Sequence, residues 1–264
     1  MDEKTTGMYR FGLVGWPLSM SLSPRVHALF FRYGGIAGEY GLYPVPPEDF
    51  EERLSMLLEE GIDGLNVTCP YKMRAASVCG RIVSDTAVPV VNTLLRREGV
   101  ILGFNTDVTG FRKMRYGMSL CEPFFVVGSG GAALAVDGAL RLEGSECTVF
   151  CREPGKWKGF GPAMDLESLE AVLRKNAAGT VVNATTLGWF DDDPFPLKPD
   201  LLRNRTFVDL NYNPGWKFRN DLRGTSERVL TGEAMLVYQA AEAFRLWTGI
   251  RPDVRRCLAD LEIR

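Results

Sequence analysis

An apolar run of four residues, Phe124-Phe125-Val126-Val127, leads straight into Gly128-Ser129-Gly130-Gly131-Ala132-Ala133. A run this short, without polar alternation, predicts a strand buried on both faces. The glycines predict a tight turn, and the segment to about Leu142 reads as a helix that Gly144 stops. Cys147 to Phe150 is the next strand, so a βαβ unit opens at Pro123. Val181-Val182-Asn183 and Phe207-Val208-Asp209 read as later strands of the same sheet.

The first half of the chain follows a similar alternation. Phe11 to Gly15 reads as a buried strand, and Ser23-Pro24 opens a helix through Phe31, with Ser23 as N-cap. Glu39 to Val45 is a second strand. After Pro47 a helix carries Phe50, Leu54, Leu57 and Leu58 on one face, and Gly61 to Val67 holds the third strand. Alternating strands and helices over 264 residues predict two open α/β domains with mostly parallel sheets. The boundary is expected near Asp107 to Gly110.

Several strands end in polar residues: Asn66-Val67-Thr68, Asn92-Thr93 and Asn105-Thr106-Asp107. In open α/β sheets ligands bind beyond such ends. Amides, hydroxyls, one carboxylate and the Lys72 ammonium suit a small polyhydroxylated molecule. Net charge is −2 and no long basic run occurs, so nucleic-acid binding is not expected. The apolar runs are too short to span a bilayer. Met1-Asp2-Glu3-Lys4 lacks the start of a signal peptide, so a cytoplasmic location is expected. The six cysteines include no Cys-x-x-Cys pair, and His27 is the only histidine. No metal site is expected from that spacing, and Cys147 and Cys151 read as packing residues. His27 reads as a packed helix residue, and Asp191-Asp192-Asp193 as a solvated loop.

A glycine turn between a buried strand and a helix lets backbone N–H groups approach a pyrophosphate, with the helix N-terminus adding favourable partial charge. After the next strand, an acidic residue suits a ribose hydroxyl and an arginine suits a 2′-phosphate. Both types occur here, as Arg152 and Glu153, with Lys156 and Lys158 close behind.

Further strings follow one another along the chain: Ser21-Leu22-Ser23-Pro24, Asn66-Val67-Thr68-Cys69-Pro70-Tyr71-Lys72, Val91-Asn92-Thr93, Asn105-Thr106-Asp107 and the glycine loop. Then come Asn183-Ala184-Thr185-Thr186-Leu187-Gly188, Asp209-Leu210-Asn211-Tyr212-Asn213-Pro214 and Gly232-Glu233-Ala234-Met235-Leu236-Val237-Tyr238-Gln239. Together they resemble the shikimate dehydrogenase family over nearly the whole chain. The resemblance implies a substrate-binding domain at 1–107, completed by C-terminal helices at 232–264, and a Rossmann dinucleotide-binding domain at 108–231. It implies NADP as cofactor, with NAD as the alternative, and reversible reduction of 3-dehydroshikimate to shikimate in aromatic amino-acid biosynthesis. Lys72 and Asp107 match the catalytic pair. Ser21, Ser23, Thr68, Asn92 and Gln239 match the substrate ligands, and Tyr212 is either a pocket wall or a packed aromatic. Gly128, Ser129, Gly130, Gly131, Ala132, Arg152, Glu153, Lys156, Thr185 and Gly232 match the cofactor site.

Reduction of a ketone by hydride leaves negative charge on oxygen, so a proton donor must sit beside it. Lys72 suits that role, with Asp107 orienting the ammonium and binding a hydroxyl. Ser23 is expected to divide its hydroxyl between helix and substrate. Ser21, with no structural duty, is the cleaner carboxylate ligand. Gln239, on an apolar helix face, needs a partner that a substrate hydroxyl would supply. The chain departs from the family pattern at Met20, Pro89-Val90, Trp189 and Cys151-Arg152-Glu153. Quinate or dual quinate/shikimate dehydrogenation with NAD is the alternative activity, and a silent nucleotide and metabolite sensor a third reading. Ser21 and Ser23 favour shikimate. A monomer or homodimer is expected.

Overall fold

The computed structural model describes residues 7–18, 21–84, 86 and 90–263; Met20 and Pro89 lie outside the described residues. The chain divides into two compact units. One comprises Met1–Gly110 and Leu236–Arg264, the other Phe111–Met235.

The first unit opens with β1 (Tyr9–Gly15), α1 (Ser23–Gly34), β2 (Gly38–Pro44), α2 (Phe50–Glu59) and β3 (Gly64–Val67). Three further strands follow, β4 (Arg81–Val83), β5 (Thr93–Arg97) and β6 (Val100–Phe104), and then α3 (Thr106–Gly117), which begins in this unit. The sheet order is β2-β1-β3-β5-β6-β4. β1 runs parallel to β2 and β3, whereas β5 is antiparallel to both β3 and β6. That reversal brings the end of β3, the start of β5 and the end of β6 to one edge, since Asn66 lies opposite Thr93 and Thr93 opposite Phe104.

Alternation along β1 explains the two cores of this sheet. Val14 packs with Phe50, Leu54, Leu57 and Leu65 on the α2 face. Phe11, on the opposite face, packs with Phe30, Phe31, Phe244 and Trp247. Phe244 and Trp247 come from the far end of the chain, and the Trp247 indole N–H donates to Leu94 O at 3.0 Å.

In the second unit the elements are β7 (Phe124–Val127), α4 (Gly131–Leu142), β8 (Cys147–Cys151), β9 (Ala163–Asp165) and α5 (Leu169–Lys175). They are followed by β10 (Thr180–Asn183), β11 (Thr206–Asp209), α6 (Lys217–Asp221) and β12 (Arg228–Thr231). The helix α7 (Glu233–Thr248) then begins, and α8 (Val254–Asp260) lies near the end of the chain within the first unit. All strand pairs here are parallel, in the order β12-β11-β10-β7-β8-β9. The central strands are buried along their whole length, which accounts for their unbroken apolar runs. The sequence reading passed over β4, β9 and β12, which are edge strands with little burial. Edge strands this short and this little buried have no apolar pattern to show.

Candidate active site

Tyr71 anchors the turn that carries Lys72. Its ring is fully buried and stacks on Phe50 with centroids 4.1 Å apart, and its hydroxyl donates to Val45 O. Val91 N–H donates to Lys72 O at 2.9 Å, tying the turn to the segment before β5. So held, the Lys72 ammonium donates to Asp107 Oδ2 at 2.6 Å. Exposure is 17% for the lysine side chain and 8% for the aspartate, so water screens the pair weakly. Asp107 lies in the first turn of α3, where the helix dipole favours a carboxylate.

A polar cluster stands beside this pair. Asn92 Oδ1 accepts the Thr106 N–H at 2.7 Å and the Thr93 hydroxyl at 3.0 Å. Its Nδ2 donates to Gln239 Oε1 at 3.3 Å, and the Thr106 hydroxyl lies 3.2 Å from the same oxygen. Asn66 Nδ2 donates to Thr93 Oγ1 at 2.9 Å and to Asn92 O at 3.2 Å. The partner expected for Gln239 thus exists within the protein, and its own Nε2 donates to Leu236 O. Asn66, Thr93 and Thr106 join the cluster; the sequence singles them out only collectively, as polar groups at strand ends, and not as individual site residues. Their signal was present in the same Asn and Thr strings. Asn105 Oδ1, one residue before the cluster's Thr106, is buried without a hydrogen-bond partner among the described residues. Such an acceptor favours a ligand that brings a donor.

Two expectations about the serines change places. α1 begins at Ser23, and the N-cap position falls on Leu22, so Ser23 is not the cap. Ser21 is the residue with a local duty, because its Oγ accepts the Ser23 N–H at 3.3 Å. A Ser two residues before a helical N–H can close a side-chain turn, and here that geometry prevails over the Ser-Pro cap pattern. Ser23 itself is 4% exposed. Thr68 is half-buried at the end of β3 and donates its N–H to Val14 O at 2.9 Å. Burial raises the pKa of the Cys69 thiol, with the Lys72 charge opposing. His27 is fully buried and stacks on Tyr40 at 4.1 Å. Neither ring nitrogen has a hydrogen-bond partner among the described residues, and desolvation lowers the pKa to about 3.

In the second unit the glycine loop fits a dinucleotide. Gly128 has φ +126°, and an added Cβ would stand 2.7 Å from Ala184 O. The loop needs glycine there on both grounds. Around Gly130 the space is open, so a ligand can approach its backbone. The α4 N-terminus, Gly131 and Ala132 onward, has no side-chain cap, leaving its first N–H groups for an anion. Ser129 is exposed on the same loop.

Arg152 and Glu153 are exposed just past β8. Lys156 forms an ion pair with Glu153, so those two charges answer each other locally. Among the described residues of this segment, the cations left without an ion pair are Arg152 and Lys158. Thr185 donates its hydroxyl to Asn183 Oδ1 at 2.7 Å and accepts the Leu187 N–H at 3.0 Å. Trp189 donates its indole N–H to Asn211 Oδ1 at 2.7 Å. Tyr212 is half-buried beyond β11, and Gly232 precedes α7 with its N–H on Asn211 O at 3.4 Å.

Beneath these loops lies a buried ion pair that the sequence reading missed. Arg219 donates to Asp209 Oδ2 at 3.0 Å, with exposures of 2% and 0%. Asn183 Nδ2 also reaches Asp209 Oδ1, at 2.9 Å. Desolvation pushes the Asp209 pKa up to about 6, against the opposing pull of Arg219. The Asp191–Asp193 segment is more than solvated surface. Asp193 Oδ2 accepts the N–H groups of Gly188 and Phe190, and Asp191 accepts from Asn213.

Known proteins resemble this chain in sequence and fold. The profile described as shikimate dehydrogenase substrate binding domain matches residues 13–94, and that of the shikimate 5′-dehydrogenase C-terminal domain matches residues 232–259. A Thermus thermophilus protein named shikimate dehydrogenase (NADP(+)) is 36% identical over 93% of this chain and 95% of its own. A Rubrobacter xylanophilus protein of the same name is 37% identical over 94% of each chain. Among solved structures, shikimate dehydrogenase from Aquifex aeolicus superposes with a TM-score of 0.85 at 27% identity, covering 96% of this chain and 97% of that one. Shikimate 5-dehydrogenase from Thermus thermophilus, in complex with NADP(H) and shikimate, gives 0.78 at 34% identity, covering 95% and 100%. Matched over nearly their full length by these relatives, the chain's residues place it in the shikimate dehydrogenase family.

Proposed function

We propose that this protein catalyses the NADP-dependent, reversible reduction of 3-dehydroshikimate to shikimate. The observation that carries the reading is the Lys72–Asp107 contact of 2.6 Å at polar strand ends. A protein that only binds metabolites has no need of a proton donor there. NADPH, when bound, supplies the hydride. Lys72 donates the proton to the ketone oxygen as negative charge develops on it, and its ammonium stabilises that charge. Asp107 holds the ammonium in place and accepts a hydrogen bond from a substrate hydroxyl. Ser21, Ser23, Thr68, Asn92 and Gln239 are assigned to the substrate, with Tyr212 as a wall. The substrate domain is read as 1–107 with 232–264, and the dinucleotide domain as 108–231; the two compact units support that division.

Gly128, Ser129, Gly130, Gly131 and Ala132 would hold the pyrophosphate, Arg152 and Lys158 the 2′-phosphate, and Thr185 and Gly232 the nicotinamide half. Lys156, engaged by Glu153, contributes less than its charge suggests. No helix among the described residues is long and apolar enough to cross a membrane. A cytoplasmic monomer or homodimer fits this reading. Steady-state rates with shikimate and quinate, each with NADP and NAD, test it. Shikimate with NADP should give the highest kcat/KM. A higher value for quinate with NAD would transfer the assignment to the alternative activity.

A further inference from the structure

Thr93 opens β5 and is fully buried, so its hydroxyl touches no ligand. Three polar atoms surround that hydroxyl: Asn66 Nδ2 at 2.9 Å, Asn92 Oδ1 at 3.0 Å and Thr106 Oγ1 at 3.1 Å. A hydroxyl has one hydrogen to give and two lone pairs with which to accept. The direction in which each hydrogen points decides what the cluster offers to a bound molecule.

Two backbone groups set that direction. Asn92 O accepts from Asn66 Nδ2 at 3.2 Å, which fixes the Asn66 amide, and the Tyr40 hydroxyl donates to Asn66 Oδ1 at 2.8 Å. The Thr106 N–H donates to Asn92 Oδ1 at 2.7 Å. This fixes the Asn92 amide, because the reverse orientation would set donor against donor. Asn66 therefore gives a hydrogen to Thr93, and Thr93 passes its own to Asn92 Oδ1. That oxygen then holds two hydrogens, one for each lone pair, so the Thr106 hydroxyl turns to Gln239 Oε1 at 3.2 Å. Gln239 Oε1 also takes one hydrogen from Asn92 Nδ2, and is filled as well.

What the cluster leaves over is of one kind. Asn92 Nδ2 has a second hydrogen, and so has Gln239 Nε2, whose first goes to Leu236 O at 3.1 Å. Neither second hydrogen has an acceptor among the described residues. The two side chains are only 3% and 7% exposed, and a buried donor needs an acceptor. We propose that Thr93 is a positioning residue for substrate recognition: its hydroxyl holds the Asn92 and Gln239 amides so that each turns a spare N–H to the substrate, which selects an oxygen able to accept there. The inference rests on the assignment of Asn92 and Gln239 to the substrate made above.

Steady-state oxidation of shikimate with NADP, together with calorimetric titration of 2′,5′-ADP, tests it. Thr93→Val should raise the shikimate KM about tenfold. Its kcat should stay within about twofold, as expected where ground-state binding alone is lost, and its affinity for 2′,5′-ADP should not change. Thr93→Ser keeps the hydroxyl and should remain within about threefold of the unmodified KM. In an Asn92→Ala background, Thr93→Val should have little further effect, because the amide it orients is gone. An unchanged KM in Thr93→Val would overturn the inference. So would an equal loss in Thr93→Ser, or a full additional loss in the Asn92→Ala background, since either would make Thr93 a packing residue. Should Thr93→Val fail to fold, Thr106→Val removes the second hydroxyl of the chain and must raise KM in the same way; an unchanged value there counts against the inference equally. If the unmodified protein does not turn over shikimate, the substrate reading fails first and this inference with it.

Discussion

The Lys72 ammonium has a strong partner in the Asp107 carboxylate, 35 residues further along the chain. Replacing Lys72 by Ala should lower kcat by about 10²–10⁴-fold, the usual scale for a general acid, with a much smaller change in shikimate dissociation constant. Turnover close to the unmodified enzyme would remove Lys72 from the chemistry. Ser21 now carries the local hydrogen bond expected of Ser23. Ser21→Ala should cost about 0.5–1 kcal/mol in urea unfolding, the lower part of the range for lost cap bonds. No loss would return Ser21 to the role of a free ligand. His27 makes a prediction in pH. Its folded pKa of about 3 lies below the unfolded value near 6.5. Its stabilising contribution is therefore complete above that unfolded value and declines as pH falls toward 3. Between pH 7.5 and 5 the loss should be about 2 kcal/mol. His27→Phe should lose less stability over that interval, and parallel pH profiles would show that the imidazole does not titrate as its burial demands.

At the scale of elements, the glycine loop separates the needs of folding from those of binding. Gly128 is required by its positive φ and by the closeness of Ala184 O. Gly130 is different, since its backbone is extended and nothing stands within 4 Å of an added Cβ. Gly130→Ala should therefore leave the melting temperature nearly unchanged. It should still weaken NADP binding by about tenfold or more, because the methyl group occupies the space through which a pyrophosphate reaches the α4 N–H groups. A variant that binds NADP normally would place the pyrophosphate elsewhere. The loops after β10 and β11 rest on a buried network from Arg219 and Asp209 through Asn183 and Asn211 to Trp189. The Trp189 departure from the family pattern is thus a hydrogen-bonded side chain of that network.

For the whole molecule, the two compact units have separate sheets and separate cores. Hydrogen exchange should reveal that division. Saturating shikimate should slow exchange around Thr68 and Thr106–Val108, and 2′,5′-ADP should slow it at Gly130–Leu134. Protection of the glycine loop by shikimate alone would contradict the assignment of ligands to units. The succession of buried strands and helices and the two ligand classes were legible because each depends on short strings: buried apolar runs, polar strand ends and a strand–glycine–helix junction. Local periodicity reports whether a residue is buried, and a motif reports its chemical type. Neither reports which distant group answers a buried polar atom. Gln239 looked available to a substrate, yet it meets Asn92, 147 residues away in sequence. Lys156 looked like a free cation and pairs with Glu153. Asp137 drew no notice in an apolar helix, and only the packed structure brings Phe160 and Gly161 onto its carboxylate. The sequence by itself determined the fold class and the kinds of polar group that the strand ends carry. The tertiary structure decided which of those groups are already engaged, because a buried donor or acceptor must be satisfied by whatever the packing of remote segments places within about 3 Å.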